Sequence, residues 1–303
     1  MKTYLITGVN GYIGNNLALN LLREGNIVIG VGRLEAPKLN PSNKNFIYIN
    51  SDLTDIGFIS KIDKFKFNGI FHLASQQPSN KIITYDDYYR SNVLSTIILL
   101  NYFNKKKIDF FLYTSTISIF GNNSNEVIDE STKPNPINYY GLTKYIAESI
   151  LQIESINFDS KLIICRLQSV FGKDDGYGIV NTFYEALVKN ECIEIYSNGT
   201  ISRNLLLIND VIKVLITISK DFSKVENFEI FNIASSNSMK TVEIANFIKN
   251  HLQSNSKINC VEKKYMFDWD VFVSNKKFTN YFNIELSSME DAIFSYINRK
   301  DDI

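Results

Sequence analysis

Cysteine, histidine, proline and tryptophan are scarce in this chain: its 303 residues hold three, two, five and one of them. The three cysteines, Cys165, Cys192 and Cys260, fall at no spacing that pairs them and lie in apolar surroundings. They are expected to be buried, reduced thiols of a cytoplasmic protein rather than a disulfide framework. Net charge is absent as well, since 32 Lys and Arg balance 32 Asp and Glu; this speaks against a nucleic-acid-binding surface. The one dense basic cluster, Lys105-Lys106-Lys107, reads as cations placed at a helix C-terminus. No apolar run reaches the roughly 18 residues of a membrane span. The first strand-like run starts almost at Met1, which leaves no room for a signal peptide. With 14 glycines, no internal repeat and no linker composition, the expectation is a folded cytoplasmic protein with neither membrane nor nucleic-acid partner.

Against these absences stands a strong alternation of elements. Thr3–Thr7, Ile27–Val31, Phe46–Ile49, Gly69–Leu73, Phe110–Thr114 and Lys161–Arg166 are continuous apolar runs, as in a parallel sheet covered on both faces. Helical spacing falls between them near 12–24, 84–104 and 138–156. The pattern predicts an α/β fold, a Rossmann-type doubly wound parallel sheet. From Gly172 onward it loosens into a helix near 179–190, short strands near 193–206, a helix from about 210 and a strand at Glu229–Ile233. Thr241 before Val242-Glu243-Ile244, and the capping-box spacing of Ser287-Ser288-Met289-Glu290, mark two later helix starts. The expected division is a dinucleotide-binding lobe over 1–172 with returning segments near 203–236. A smaller C-terminal α/β substrate lobe would take 173–202 and 237–303.

Thr7-Gly8-Val9-Asn10-Gly11-Tyr12-Ile13-Gly14 links the first strand to the first helix. Gly8, Gly11 and Gly14 let the backbone approach a pyrophosphate, and the helix start at Tyr12 and Ile13 offers N–H groups and a partial positive charge. The second strand ends Gly30-Val31-Gly32-Arg33, without the acidic residue that would bind the ribose hydroxyls of NAD. Gly32 leaves room for a 2′-phosphate and Arg33 can pair with it, so NADP(H) is expected over NAD(H). Asp52-Leu53 follows the third strand, where Asp52 either faces the adenine or caps the segment from Thr54. Leu73 and Ala74 lie where a cofactor would pass. His72 before them is assigned no chemistry, and no metal site is expected.

Tyr140 and Lys144 lie four residues apart on one helix face. An ammonium near a phenol with an ordinary pKa of roughly 10 lowers it towards neutrality, and Lys144 could also hold the nicotinamide ribose. Thr116, at the end of the preceding strand, could donate to the same substrate oxygen. The same spacing recurs at Tyr102…Lys106 and Tyr296…Lys300, both read as surface features of helix ends. Tyr140 is distinguished by the Ser/Thr-terminated strand before it and by the Pro134-Asn-Pro136 turn.

The order of these marks resembles the extended short-chain dehydrogenases/reductases that act on nucleotide sugars. It runs through the glycine turn, Asp52-Leu53, His72-Leu-Ala74, Asn92, Thr116 before Phe120-Gly121, and Tyr140/Lys144. It continues with Arg166 before Val170-Phe171-Gly172, Ser202-Arg203-Asn204, Ile208-Asn209-Asp210-Val211 and Phe231-Asn232-Ile233-Ala234. The resemblance implies a catalytic set of Thr116, Tyr140 and Lys144, with Arg203 reaching the substrate diphosphate; by itself Arg203 could equally be structural. Ser169 stands where many relatives carry a substrate-binding asparagine. Lys263–Val273 lacks the arginine often found there, with Lys263 or Lys264 as substitutes. Thr116 is followed by Ile117-Ser118 rather than the Asp-Glu of 4,6-dehydratases. The reading that follows is an NADPH-dependent reductase of a 4-keto-6-deoxy nucleotide sugar, serving surface polysaccharide synthesis. The alternatives are a 4-epimerase holding NAD and, from another class, an NADP-sensing binding protein. The resemblance also implies a homodimer.

Overall fold

A computed structural model describes residues 1–40, 42–55, 57–79, 81–122, 127–173, 178–263 and 269–300. The predicted strands are present: β1 (Thr3–Thr7), β2 (Ile27–Gly32), β3 (Phe46–Asn50), β4 (Gly69–His72), β5 (Phe110–Thr116), β6 (Lys161–Leu167) and β7 (Phe228–Ile233). They form one sheet in the order β7-β6-β5-β4-β1-β2-β3. β1 pairs in parallel with both β2 and β4, β2 with β3, and β4 with β5. The chain order reverses between β1 and β4, the place where doubly wound sheets bind ligands. The helices are α1 (Tyr12–Arg23), α2 (Phe58–Ile62), α3 (Tyr85–Tyr89), α4 (Ser95–Phe103), α5 (Tyr139–Glu154), α6 (Ile179–Val188), α7 (Ile208–Asp221), α8 (Thr241–His251), α9 (Lys276–Phe282) and α10 (Met289–Lys300). Among the described residues no helix is long and apolar enough to cross a membrane.

Two compact units result. The first holds Met1–Gly121, Lys133–Arg166 and Ile212–Phe231. Alternate strand residues supply both faces of its sheet. Leu5, Ile29, Ile49, Ile70, Phe111 and Ile164 join Leu99, Phe103, Ala147 and Leu151 in one buried cluster. Tyr4, Phe71 and Phe110 form an edge-on aromatic group from neighbouring strands. The second unit holds Asn122–Thr132, Leu167–Val211 and Asn232–Ile303. Its core gathers Val180, Leu187, Ile195, Leu207, Ile244, Ile248, Ile293 and Tyr296, around two-stranded ladders such as Val170–Phe171 with Leu206–Leu207.

Several local expectations are corrected. Cys165 is buried, but Cys192 and Cys260 are exposed: Cys192 precedes the strand Ile193–Ile195, Cys260 ends its partner Ile258–Cys260, and this ladder turns Ile193 and Ile195 inward and the thiols outward. Tyr296 is core rather than surface, with its hydroxyl donating to Asn181 Oδ1 at 2.7 Å. The start of α10 is capped one residue later than the spacing suggests: Ser288 Oγ accepts from Asp291 N–H at 3.0 Å. Thr241 does not cap α8 but opens it, and its hydroxyl is buried.

Candidate active site

The glycine turn follows β1 at the reversal point. Gly8 adopts φ +70, and a Cβ there would stand 2.8 Å from Ala74 Cα. The turn and the Leu73-Ala74 segment after β4 are therefore in direct backbone contact, tied further by Ala74 N–H to Thr7 Oγ1 at 3.2 Å. A Cβ on Gly14 would lie 2.3 Å from the Gly8 carbonyl oxygen. Gly11 precedes α1 without a side-chain cap, so the helix start is left to a ligand. This cradle, which any side chain would fill, fits the diphosphate of a dinucleotide.

Thr116 and Tyr140 are brought together by a second close packing. The segment leading to α5 crosses the turn Ile117–Phe120: Asn135 N–H donates to the Ile119 carbonyl at 2.8 Å. Gly121 there has φ +62, and its Cβ would meet Asn135 O at 2.3 Å. Asn138 caps α5 by accepting from Gly141 N–H at 2.8 Å. A Cβ on Gly141 would stand 2.5 Å from Ser118 O. The first turn of α5 thus lies against the end of β5, and the buried Tyr140 hydroxyl comes under the influence of Gln77, Thr116 and Ser75.

Burial pushes the Tyr140 phenol above its ordinary value, while Gln77, Thr116 and Ser75 pull it down. Burial brings Lys144 down to about 7, opposed by the charge of Glu148 one turn further along α5. The Lys144 ammonium is not among the groups that act on Tyr140 here. Lys144 Nζ donates to the Thr114 carbonyl at 2.6 Å and lies 4.0 Å from the Tyr113 ring centroid; the groups that lower Tyr140 are neutral. Glu148 forms a buried fork with Arg166, whose Nε and Nη2 donate to the carboxylate at 2.8 to 3.2 Å. His72 is held neutral, its pKa lowered to about 3 by burial and by Lys144. Its ring nitrogens meet the hydroxyls of Thr7 and Thr96 at 2.7 and 3.0 Å, the role of a satisfied core residue.

Sequence reasoning missed Ser75 and Gln77, and gave Asn92 no role. Between α3 and α4 lies a single π turn, Arg90–Leu94, a feature often found near functional sites. It presents Asn92, whose Oδ1 accepts from Ser75 Oγ (3.0 Å) and Gln76 N–H (2.8 Å). Its Nδ2 donates to Thr143 Oγ1 at 3.0 Å. Asn92 therefore ties the loop after β4 to α5 beside Tyr140. Its signals in the sequence were its place among the marks of the family resemblance and a polar residue inside an apolar helix.

The remaining predicted residues are placed as follows. Asp52 Oδ1 accepts from the N–H and hydroxyl of Thr54, both at 2.8 Å, so it caps that turn. Burial raises its pKa, but Thr54, Arg33 and Arg90 outweigh this and hold it below the ordinary value. Leu53 is buried and Arg33 exposed. In the second unit, Ser169 is exposed and its carbonyl accepts from Leu206 N–H at 2.9 Å. Arg203 is half-buried, with Nη1 donating to the Trp269 carbonyl at 2.8 Å. Lys263 Nζ lies 5.1 Å from the Tyr196 ring centroid. Lys264 and Asp268 fall outside the described residues.

A doubly wound sheet with a glycine cradle at its reversal point and a buried Tyr-x-x-x-Lys face beside it defines a dinucleotide-dependent α/β enzyme class. The chain belongs to the NAD dependent epimerase/dehydratase family, which it matches over residues 4–234. It is 26% identical over 215 residues to a putative UDP-glucose 4-epimerase of Methanocaldococcus jannaschii, covering 69% of this chain and 70% of that protein. It is 26% identical over 255 residues to the human dTDP-D-glucose 4,6-dehydratase, covering 80% and 72%. Among solved structures, Thermotoga maritima UDP-glucose 4-epimerase with UDP-glucose superposes with a TM-score of 0.86 at 22% identity, covering 99% of this chain and 100% of that one. Bacillus cereus UDP-glucuronic acid 4-epimerase with UDP-glucuronic acid and NAD gives 0.82 at 20% identity, covering 99% of each.

Proposed function

We propose that this chain is a nucleotide-sugar 4-epimerase using NAD. The observation that carries the reading is the packing of the first turn of α5, which bears the buried Tyr140, on the end of β5, which bears Thr116, with Gly8 and Ala74 in contact at the reversal point of the same unit. A bound nicotinamide supplies reversible hydride exchange with a sugar carbon. As a phenolate, Tyr140 would take the proton of the C4 hydroxyl when the sugar is oxidised to the 4-ketone, and would return it when the ketone is reduced from the opposite face, so the cycle would be redox-neutral. Thr116 steadies the C4 oxygen, and Lys144, fixed by the Thr114 carbonyl, lines the ribose side. Arg203 and Ser169 are proposed to bind the nucleotide and sugar. The relatives named as 4-epimerases support this reading, and Ile117-Ser118 after Thr116 lacks the acid and base that dehydration requires.

A second reading, a reductase of a 4-keto-6-deoxy nucleotide sugar using NADPH, is favoured by one observation: β2 ends in Gly32 followed by exposed Arg33, with no carboxylate. One experiment separates the two. Incubation with UDP-glucose and UDP-glucuronic acid is expected to yield their C4 epimers without net cofactor turnover. Stoichiometric NADPH consumption with a 4-keto-6-deoxy nucleotide sugar, and no epimer, would replace the first reading by the second. Tyr140→Phe is expected to lower either activity about 100-fold or more while cofactor binding persists.

A further inference from the structure

Beyond the reaction itself, the end of β2 carries an unusual construction. A Cβ on Gly32 would stand 2.7 Å from Asn10 Nδ2 and 3.1 Å from Tyr48 Oη. The position where a side chain would project is therefore already filled by two polar groups from neighbouring elements. Asn10 comes from the glycine turn and Tyr48 from β3. Asn10 Nδ2 donates to Tyr48 Oη at 2.9 Å, and Tyr48 Oη donates to the Leu34 carbonyl at 2.5 Å. Asn10 Oδ1 accepts from Lys38 N–H at 2.9 Å. The amide is used at both ends and the phenol both donates and accepts, so the pair pins the loop that follows Gly32 at two points, Leu34 and Lys38.

A carboxylate at this position accepts from a cofactor's ribose hydroxyls and repels a 2′-phosphate. A neutral amide–phenol pair does neither. The neighbouring charges also offset one another: Asp52 is engaged by Thr54 and lies within the electrostatic reach of Arg33 and Arg90, so Arg33 does not stand as an uncompensated phosphate anchor. We infer that Asn10 and Tyr48 determine specificity at the adenosine ribose, keeping position 32 closed to a carboxylate and the site open to both a 2′-hydroxyl and a 2′-phosphate. This rests on the dinucleotide part of the proposed function and not on which C4 reaction follows.

The test is calorimetric titration of the purified chain with NAD+ and with NADP+, which reads binding without turnover. The wild-type dissociation constants are expected to lie within about tenfold of each other. Gly32→Asp should weaken both about tenfold or more, because the carboxylate collides with the pair. In Gly32→Asp/Tyr48→Phe, Asn10 loses its phenol partner and can donate to the new carboxylate; NAD+ should then bind about tenfold more tightly than NADP+. Tyr48→Phe alone, which introduces no bulk, should weaken both cofactors several-fold and in equal proportion as the loop at Leu34 is released. Circular dichroism and melting curves confirm that each variant folds. A wild-type preference above about 100-fold for either cofactor overturns the inference. So does a Gly32→Asp variant as NAD-selective as the double variant, or a Tyr48→Phe variant with unchanged binding; in those cases the dinucleotide reading stands. Binding of neither cofactor to the wild-type chain sinks that reading, and the inference with it.

Discussion

Lys144 Nζ donates to the carbonyl oxygen of Thr114 at 2.6 Å. The ammonium is thereby committed to the backbone at the end of β5 and to the face of Tyr113, 4.0 Å away. Its bond to the strand fixes the register of α5 against β5, and with it the place of Tyr140.

Because neutral partners lower Tyr140, their loss should raise the pH at which the phenol ionises. Gln77 is the largest of these influences, ahead of Thr116 and Ser75. Gln77→Leu is expected to move the Tyr140-dependent limb of the pH–rate profile to higher pH, with a matching shift in the phenolate absorbance titration. An unmoved limb would show that the Gln77 amide does not act on the reacting oxygen.

Lys144 titrates near 7 in the folded chain and near its ordinary 10.4 when unfolded. Between these values the unfolded chain binds the extra proton, so stability from this group rises with pH across that window. Below about 7 both states are charged and the burial cost is complete. Buried Cys165, pushed well up by desolvation, opposes the trend above its ordinary value near 8.5. Urea unfolding between pH 7 and 8.5 should therefore show a slope rising to at most about 1.4 kcal/mol per pH unit from Lys144. Lys144→Met should flatten it; an identical slope in that variant would refute the assignment.

Gly141→Ala adds a methyl group 2.5 Å from Ser118 O. Both partners are main chain, so α5 must shift. The expected cost is about 1–3 kcal/mol of stability, with kcat falling more than KM rises because Tyr140 moves away from Thr116. Thermal melts and steady-state kinetics on the same preparation check both.

Glu148→Gln leaves the Arg166 guanidinium buried against Phe120, 5.1 Å from its ring centroid, with its strongest partner gone. Such a loss costs about 3–5 kcal/mol. The double variant Glu148→Gln/Arg166→Met should recover part of it, since neither charge of the pair then remains buried. A double-mutant cycle in denaturant reports the coupling.

The strands were legible to within two residues because each is an unbroken apolar run in a sheet covered on both faces, and the glycine turn because Gly8 and Gly14 answer a backbone contact. Tyr140 and Thr116 could be paired from their positions at the start of α5 and the end of β5. The partners Ser75, Gln77 and Asn92 could not, because a loop and a helix meet there through hydrogen bonds that leave no periodic trace. Cys192 and Cys260 misled because an apolar neighbourhood in sequence does not tell a surface ladder from a core. Tyr296 misled in the opposite sense: its spacing to Lys300 matched a motif, whereas packing against Tyr184 and Phe171 placed it inside.

The π turn at Arg90–Leu94 stores one residue more than a regular helix would use over the same path. Excision of a single residue there would let the segment close into a regular α-helix along the same path, with Leu99 and Phe103 still turned inward. What the chain would lose is the wider turn that presents Asn92. A one-residue gap at this place thus marks a change at the loop after β4 and not in the frame of the fold.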